Sequence, residues 1–144
     1  MEVRFADLIF PPELHYLIEH QVWARFHPNG VARVGITSLG IALAGEIYMC
    51  RAKGAGTLVE QGRSIAVVEL AKSIVSVKSP LTGTVLHTNP LLPDTPEIIH
   101  RDPYGEGWIA ELAPADTDAG RQQLVQGDAM LAAMREHARL YRID

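Results

Sequence analysis

The sequence predicts a mainly β fold with short helices and a C-terminal helical segment, on three observations. From 57 to 88, short runs rich in β-branched residues alternate with Gly, Pro and small polar residues, a texture of strands rather than helices. Before that, His27-Pro28-Asn29-Gly30 separates two strand-like runs, 22–26 and 31–36, and an Asn-Gly pair so placed is a strong hairpin signal. After Pro114 the composition shifts to Ala, Leu, Met, Arg and Gln, which are good helix formers. The chain thereby divides into a lead-in over 1–21, a β domain over 22–113, and helices over 114–144 packed on the same domain.

Each element has its own local reason. Pro11-Pro12 blocks helix and biases the residue before it toward extended chain, so the lead-in is extended. Thr37 or Ser38 suits the cap of a short helix through Ala44, which Gly45 stops. Strand character resumes over 46–50, and Gly54-Ala55-Gly56 marks a loop. The runs 64–69 and 73–77 are strands; 89–94, with two prolines, is a loop. Asp94 or Thr95, followed by Pro96 and Glu97, suits the cap of a single helical turn through His100. The cluster 102–107 is a turn and 108–112 the last strand. Helices are expected over 116–126 and 128–142, broken at Gly127-Asp128 with a fresh cap. Met130, Met134, His137/Ala138 and Tyr141 share one face of the second, which is expected to pack on the sheet.

Composition narrows the function. At 144 residues the chain can bury a real core, and 47% hydrophobic with 21% charged residues is ordinary for a folded soluble protein. A net charge of −4 and the lack of a basic run offer nothing to collect phosphates, so nucleic acid is not expected as a partner. No stretch reads as a signal peptide or membrane helix, so a cytoplasmic location is expected and a membrane partner is not. The one cysteine, Cys50, can form neither an internal disulfide nor a CxxC pair. Arg51 would lower its pKa only if their side chains met, and strand alternation sends them to opposite faces, so a buried, inert thiol is expected. The six histidines lack metal-ligand spacing, Gly54-Ala55-Gly56 is no dinucleotide fingerprint, and Ser38 sits on no nucleophile elbow. No enzyme active site, catalytic residue or metal site announces itself.

One feature stands apart. Lys72 is centred between two β-branched runs, with Gly62 ten residues before it and Gly83 eleven after. Such a unit reads as strand, turn, strand with the ammonium at the tip. A lysine there is ordinarily a solvated turn residue.

The surrounding residues carry a resemblance. Val67-Val68-Glu69-Leu70-Ala71-Lys72-Ser73, followed by Ser79-Pro80-Leu81-Thr82-Gly83-Thr84-Val85, resembles the modification hairpin of the glycine cleavage system H protein family. Val34-Gly35-Ile36-Thr37 with Leu43-Ala44-Gly45-Glu46-Ile47, Asn89-Pro90-Leu91-Leu92 with Pro96-Glu97, and Asp102-Pro103-Tyr104-Gly105-Glu106-Gly107-Trp108 are similar to three further blocks of that family. Order and spacing hold over roughly five-sixths of the chain. The resemblance implies a barrel-sandwich hybrid of two small antiparallel sheets, making 22–113 a lipoyl-type domain. It implies lipoic acid joined as an amide to Lys72, and a carrier rather than an enzyme. It makes Glu69, Ala71 and Ser73 candidates for recognition by a lipoate ligase or lipoyl transferase. Two sulfurs on one swinging arm would supply the dithiol couple that a single cysteine cannot. Biotin carriers share the lysine hairpin but flank it with Met, where this chain has Ala71 and Ser73. An unmodified interaction module is the remaining alternative.

The chain also departs from the family pattern. Where an acid and an aromatic are usual after the lysine, Val75-Ser76-Val77-Lys78 offers a hydroxyl and a cation, about two charge units more positive. His20-Gln21-Val22-Trp23 carries an extra residue, and Ile47-Tyr48-Met49-Cys50-Arg51 differs from the usual strand. Partner choice follows charge complementarity, which makes Lys78 a further recognition candidate. These changes resemble the H-like lipoate-binding proteins of sulfur-oxidising prokaryotes, which shuttle sulfur-bound intermediates with a heterodisulfide-reductase-like complex. The alternative partners are glycine decarboxylase, aminomethyltransferase and dihydrolipoamide dehydrogenase, with an aminomethyl group as cargo.

Overall fold

Two antiparallel sheets face each other across a shared core, as the computed structural model shows for the described residues, 3–5 and 7–141. The larger sheet contains β3 (His15–Leu17), β4 (Val22–Phe26), β5 (Ala32–Ile36), β11 (Ala110–Pro114), β10 (Gly83–Thr88) and β7 (Leu58–Val59), in that spatial order. The smaller holds β6 (Met49–Ala52), β8 (Ser64–Glu69) and β9 (Ile74–Lys78). A separate ribbon pairs β1 (Val3–Phe5) with β2 (Leu8–Phe10). Helices α1 (Ser38–Ala44), α2 (Ile98–Arg101), α3 (Thr117–Gln122) and α4 (Gly127–Leu140), with a short 3-10 turn over Ile18–His20, complete the described elements.

Strand alternation decides what each sheet buries. Val22 and Ala24 of β4, Val34 of β5, Val85 of β10 and Leu112 of β11 meet Cys50, Ala66, Val68 and Val77 of the smaller sheet in one core. Trp23, between Val22 and Ala24, points to the other side, into a second core with Phe10, Leu14, Tyr16, Leu39, Tyr104, Met130, Met134 and Ala138. Its ring lies over its cross-strand partner Gly35, where an added Cβ would come within 2.5 Å of the indole. Only glycine fits there.

The Asn-Gly hairpin is present. Phe26 pairs with Ala32, Gly30 takes a left-handed φ of 87°, and the His27 N–H donates to the Val31 carbonyl over 2.9 Å. Thr37 caps α1 by accepting from the Gly40 N–H at 3.0 Å. Several boundaries differ from expectation. α2 begins after Glu97, in right-handed backbone with no side-chain cap, so neither Asp94 nor Thr95 caps it. α4 follows Gln126, which makes no side-chain cap. Its buried face is Met130, Met134 and Ala138, while Tyr141 is exposed against His137; the expected end at Arg142 lies outside the described residues. The stretch before residue 22 adds β3 to the edge of the larger sheet, and Tyr16 bridges to Val125.

Candidate functional site

The β8–β9 hairpin is built to hold a fixed tip. Its last cross-strand pair is Glu69 with Ile74, beyond which the Leu70 N–H donates to the Ser73 carbonyl at 2.8 Å and closes the turn. Leu70 is half-buried against the inter-sheet core, so the turn is anchored from below, while Ala71, Lys72 and Ser73 are exposed. Lys72 makes no hydrogen bond or ion pair among the described residues. A free ammonium on a closed turn can be acylated without breaking a salt bridge, and the base of any arm attached there is held by the turn. The residues present therefore fit a covalently carried group.

The neighbouring candidates fall on one face. Register places Met49, Glu69 and Ile74 in one row and Arg51, Val67 and Ser76 in the next, with Lys78 opposite Ser64. Met49, Arg51, Val67, Glu69, Ile74, Ser76 and Lys78 thus share the outward face, opposite buried Cys50, Ala66, Val68 and Val77. Glu69 stands beside the tip. Lys78 is four residues along the strand from Ile74, about 13 Å away, toward the base of the hairpin. The structure joins Glu69, Ala71, Lys72 and Ser73 in one cluster and sets Lys78 apart from them on the same sheet face. The Ser76 Oγ, midway between, is buried with no hydrogen-bond partner among the described residues.

Sequence reasoning passed over the apolar side chains around this site. Met49 (39% exposed), Val67 (37%) and Ile74 (66%) stand on the outward face, and Tyr48 (54%) precedes it. The signal was available: Ala66-Val67-Val68 and Ile74-Val75 break the apolar–polar alternation of a half-buried strand. A cleft of about 290 Å³ runs alongside β6, lined by Met49, Arg51, Ala52, Asn89, Leu92 and Pro93 among others.

Other motif blocks prove to be joints of the fold. Asn89 is buried, and its Nδ2 donates to the carbonyls of Glu106 at 2.7 Å and Trp108 at 2.8 Å, tying the proline loop to the Tyr104-Gly105 turn. The Tyr104 hydroxyl donates to the Ile9 carbonyl at 2.6 Å and accepts from the Ser38 N–H at 2.9 Å. Cys50 is 3% exposed on the inward face, opposite Arg51, and burial pushes its thiol up to about 12. Among the described residues no group of three metal-binding side chains occurs, and no helix is long and apolar enough to cross a membrane.

A family model described as Glycine cleavage H-protein matches residues 14–137. The chain is 39% identical over 134 residues to glycine cleavage system H protein 2 of Aquifex aeolicus, covering 93% of this chain and 83% of that protein. It is 37% identical over 128 residues to the probable glycine cleavage system H protein 2 of Saccharolobus solfataricus, covering 88% and 86%. The crystal structure of a glycine cleavage system H protein from Mycobacterium marinum superposes with a TM-score of 0.72 at 26% identity, covering 92% of this chain and 98% of that one. The chain belongs to the glycine cleavage H-protein family, lipoyl carriers of barrel-sandwich fold that hold lipoic acid covalently on a lysine and are not themselves catalysts.

Proposed function

We propose that Lys72 is the lipoyl attachment residue and that the carrier serves cytoplasmic sulfur oxidation with a heterodisulfide-reductase-like complex. The observation that carries the attachment is the exposed, unpaired ammonium of Lys72 on a turn closed by the Leu70–Ser73 hydrogen bond. Once bound, the lipoyl dithiolane supplies a reversible disulfide/dithiol couple. The chain holds the base of the arm rigid, keeps Cys50 buried and unreactive, and presents Glu69, Ala71 and Ser73 to a lipoate ligase or lipoyl transferase. In this reading 22–113 is the lipoyl-bearing domain, with the segments before and after packed on it.

The sulfur branch is supported by Lys78, a cation on the outward face, and by Ser76, whose hydroxyl is buried, at positions where the family pattern has an aromatic and an acid. The competing reading, an aminomethyl carrier for glycine decarboxylase and aminomethyltransferase, is supported by the names of the relatives.

Two measurements test these readings. Incubation with a lipoate ligase, ATP and lipoate, followed by intact mass, is expected to give one lipoyl adduct on the wild type and none on Lys72→Ala. An unmodified wild type, or an adduct that moves to Lys53 or Lys78 in the variant, sinks the attachment. A biotin adduct from biotin ligase would favour the biotinyl alternative. The lipoylated protein is then expected to support turnover by a reconstituted heterodisulfide-reductase-like complex and not by the glycine cleavage enzymes. The reverse outcome overturns the pathway and leaves the carrier intact.

A further inference from the structure

The segment that carries Lys72 is basic where the rest of the chain is acidic. All three lysines of the chain, Lys53, Lys72 and Lys78, fall within 49–78, the segment that makes β6 to β9. That segment holds five basic residues and two acidic ones, a net of +3, which leaves −7 on the rest of a chain whose total is −4. Acylating Lys72 removes one charge and still leaves the segment at +2.

These cations are not paired off within the fold. Arg51, Lys53, Arg63 and Lys78 form no ion pair among the described residues, and the Arg51 Nη2 touches only the Met49 sulfur, at 3.6 Å. Elsewhere the contrast is direct. Arg33 meets Glu111 at 3.0 Å on the larger sheet, and both Arg25 and Arg121 lie over aromatic rings. The outward face of the smaller sheet also carries exposed apolar side chains, with Glu69 between two of them. Val67 lies between Arg51 and Ser76, with Met49 and Ile74 in the adjoining row, and all three are more than a third exposed. A solvated sheet face has no need of Val, Met and Ile in outward register.

We infer that this face, formed by β6, β8 and β9, is the docking surface for a partner protein whose contact patch combines apolar side chains with carboxylates that meet Arg51 and Lys78. The inference rests on the lipoyl-carrier reading and adds which surface the arm-accepting enzyme holds, and with what chemistry. The face is continuous with the hairpin tip, so a partner seated on it receives a group carried at Lys72 without searching. Arg51 and Lys78 attract and orient the partner's carboxylates. Met49, Val67 and Ile74 supply the apolar contact, and Glu69 beside the tip penalises a partner with carboxylates in the wrong register. A polyanion such as nucleic acid fits poorly, because the cations are few and interleaved with Glu69 and exposed apolar side chains rather than tracking a backbone.

The test uses the full chain, lipoylated to completion, with two acceptors assayed in parallel: the heterodisulfide-reductase-like complex, and glycine decarboxylase with aminomethyltransferase. The variant Arg51→Glu/Lys78→Glu is compared with Arg101→Glu/Arg135→Glu, which changes net charge equally on α2 and α4. On the acceptor that turns over the wild type, the sheet variant is expected to raise KM on the order of tenfold with kcat unchanged, and the control to leave KM within about twofold. Raising NaCl should increase the wild-type KM and close the gap between wild type and sheet variant. Equal KM values for the two variants overturn the docking surface and leave the carrier reading standing. Turnover with neither acceptor removes the carrier reading, and the docking surface falls with it. Unchanged thermal midpoints verify that the substitutions act on docking rather than on folding.

Discussion

On the outer side of β4 and β5, Trp23 is fully buried, its Nε1 donates to the Ile36 carbonyl at 3.2 Å, and Tyr104 packs tilted against it at 5.9 Å. On the outer side of β8 and β9, Val67 and Ile74 face water, and the nearby cations have no carboxylate partner among the described residues. Both sheets bury their inner faces in the same core. They differ in what covers the other face: Met130, Met134 and Ala138 of α4 close the second core on the larger sheet, and no described element contributes to such a core on the smaller one. Apolar side chains in outward register have been filled on one side and left open on the other. The covered face carries stability, and the open one is the face we propose for docking.

Removing the pivot of the covered face should have the largest effect. Trp23→Ala deletes a fully buried ring, orphans the Ile36 carbonyl and leaves a cavity beside Gly35, so a loss of about 3–5 kcal/mol is expected. Chemical denaturation at neutral pH measures it. A loss under about 1 kcal/mol would mean that the second core is marginal and that the contrast between the two faces is cosmetic.

Legibility in the sequence follows the same division. The hairpins were readable because their signals are local: Asn29-Gly30 at one turn, and two β-branched runs around Lys72 at the other. α1 was readable because Thr37 makes its own cap. What escaped depends on distant partners. β3 is three residues long, and Tyr16 exchanges both of its bridge hydrogen bonds with Val125, far along the chain. Strand pairing in β6 starts at Met49 rather than Glu46 because the Ile47 N–H is taken by the His100 Nε2 at 3.0 Å. The last strand starts at Ala110 rather than Trp108, whose carbonyl goes to Asn89 and whose ring lies under Arg33 at 4.6 Å. At the site, alternation located the faces of Cys50 and Arg51. Charge pairing could not be read that way, because an unpaired cation is visible only once every carboxylate has been located.

A smaller loss should follow from Asn89→Ala. Two carbonyls, of Glu106 and Trp108, lose their donor, and the Leu91 N–H loses its acceptor at 3.0 Å, all around a side chain only 3% exposed. About 2–3 kcal/mol is expected, since each stranded buried group costs about 1–3 kcal/mol and water can reach part of this loop. Hydrogen exchange should show the opening confined to the Asn89 loop and the 102–108 turn, with the β8–β9 hairpin protected as before. Loss of protection at the hairpin would couple the two regions and blur the distinction between them.

The smallest effect belongs to the open face. Ile74 is 66% exposed in the first row below the tip, so its apolar area is already largely in water and little is forfeited when it is removed. Ile74→Ser should therefore change stability by no more than about 0.5 kcal/mol, where a buried residue of the same size would cost several times that. Lipoylation by the ligase should go to completion as in the wild type, since the Leu70–Ser73 hydrogen bond that closes the turn is untouched. If Ile74 is nevertheless part of the docking surface, KM for the arm-accepting enzyme should rise while the melting curve stays in place. A fall in stability near that of Trp23→Ala would show the hairpin face to be a structural surface like its counterpart, and an unchanged KM would leave its exposed apolar residues without a function in docking.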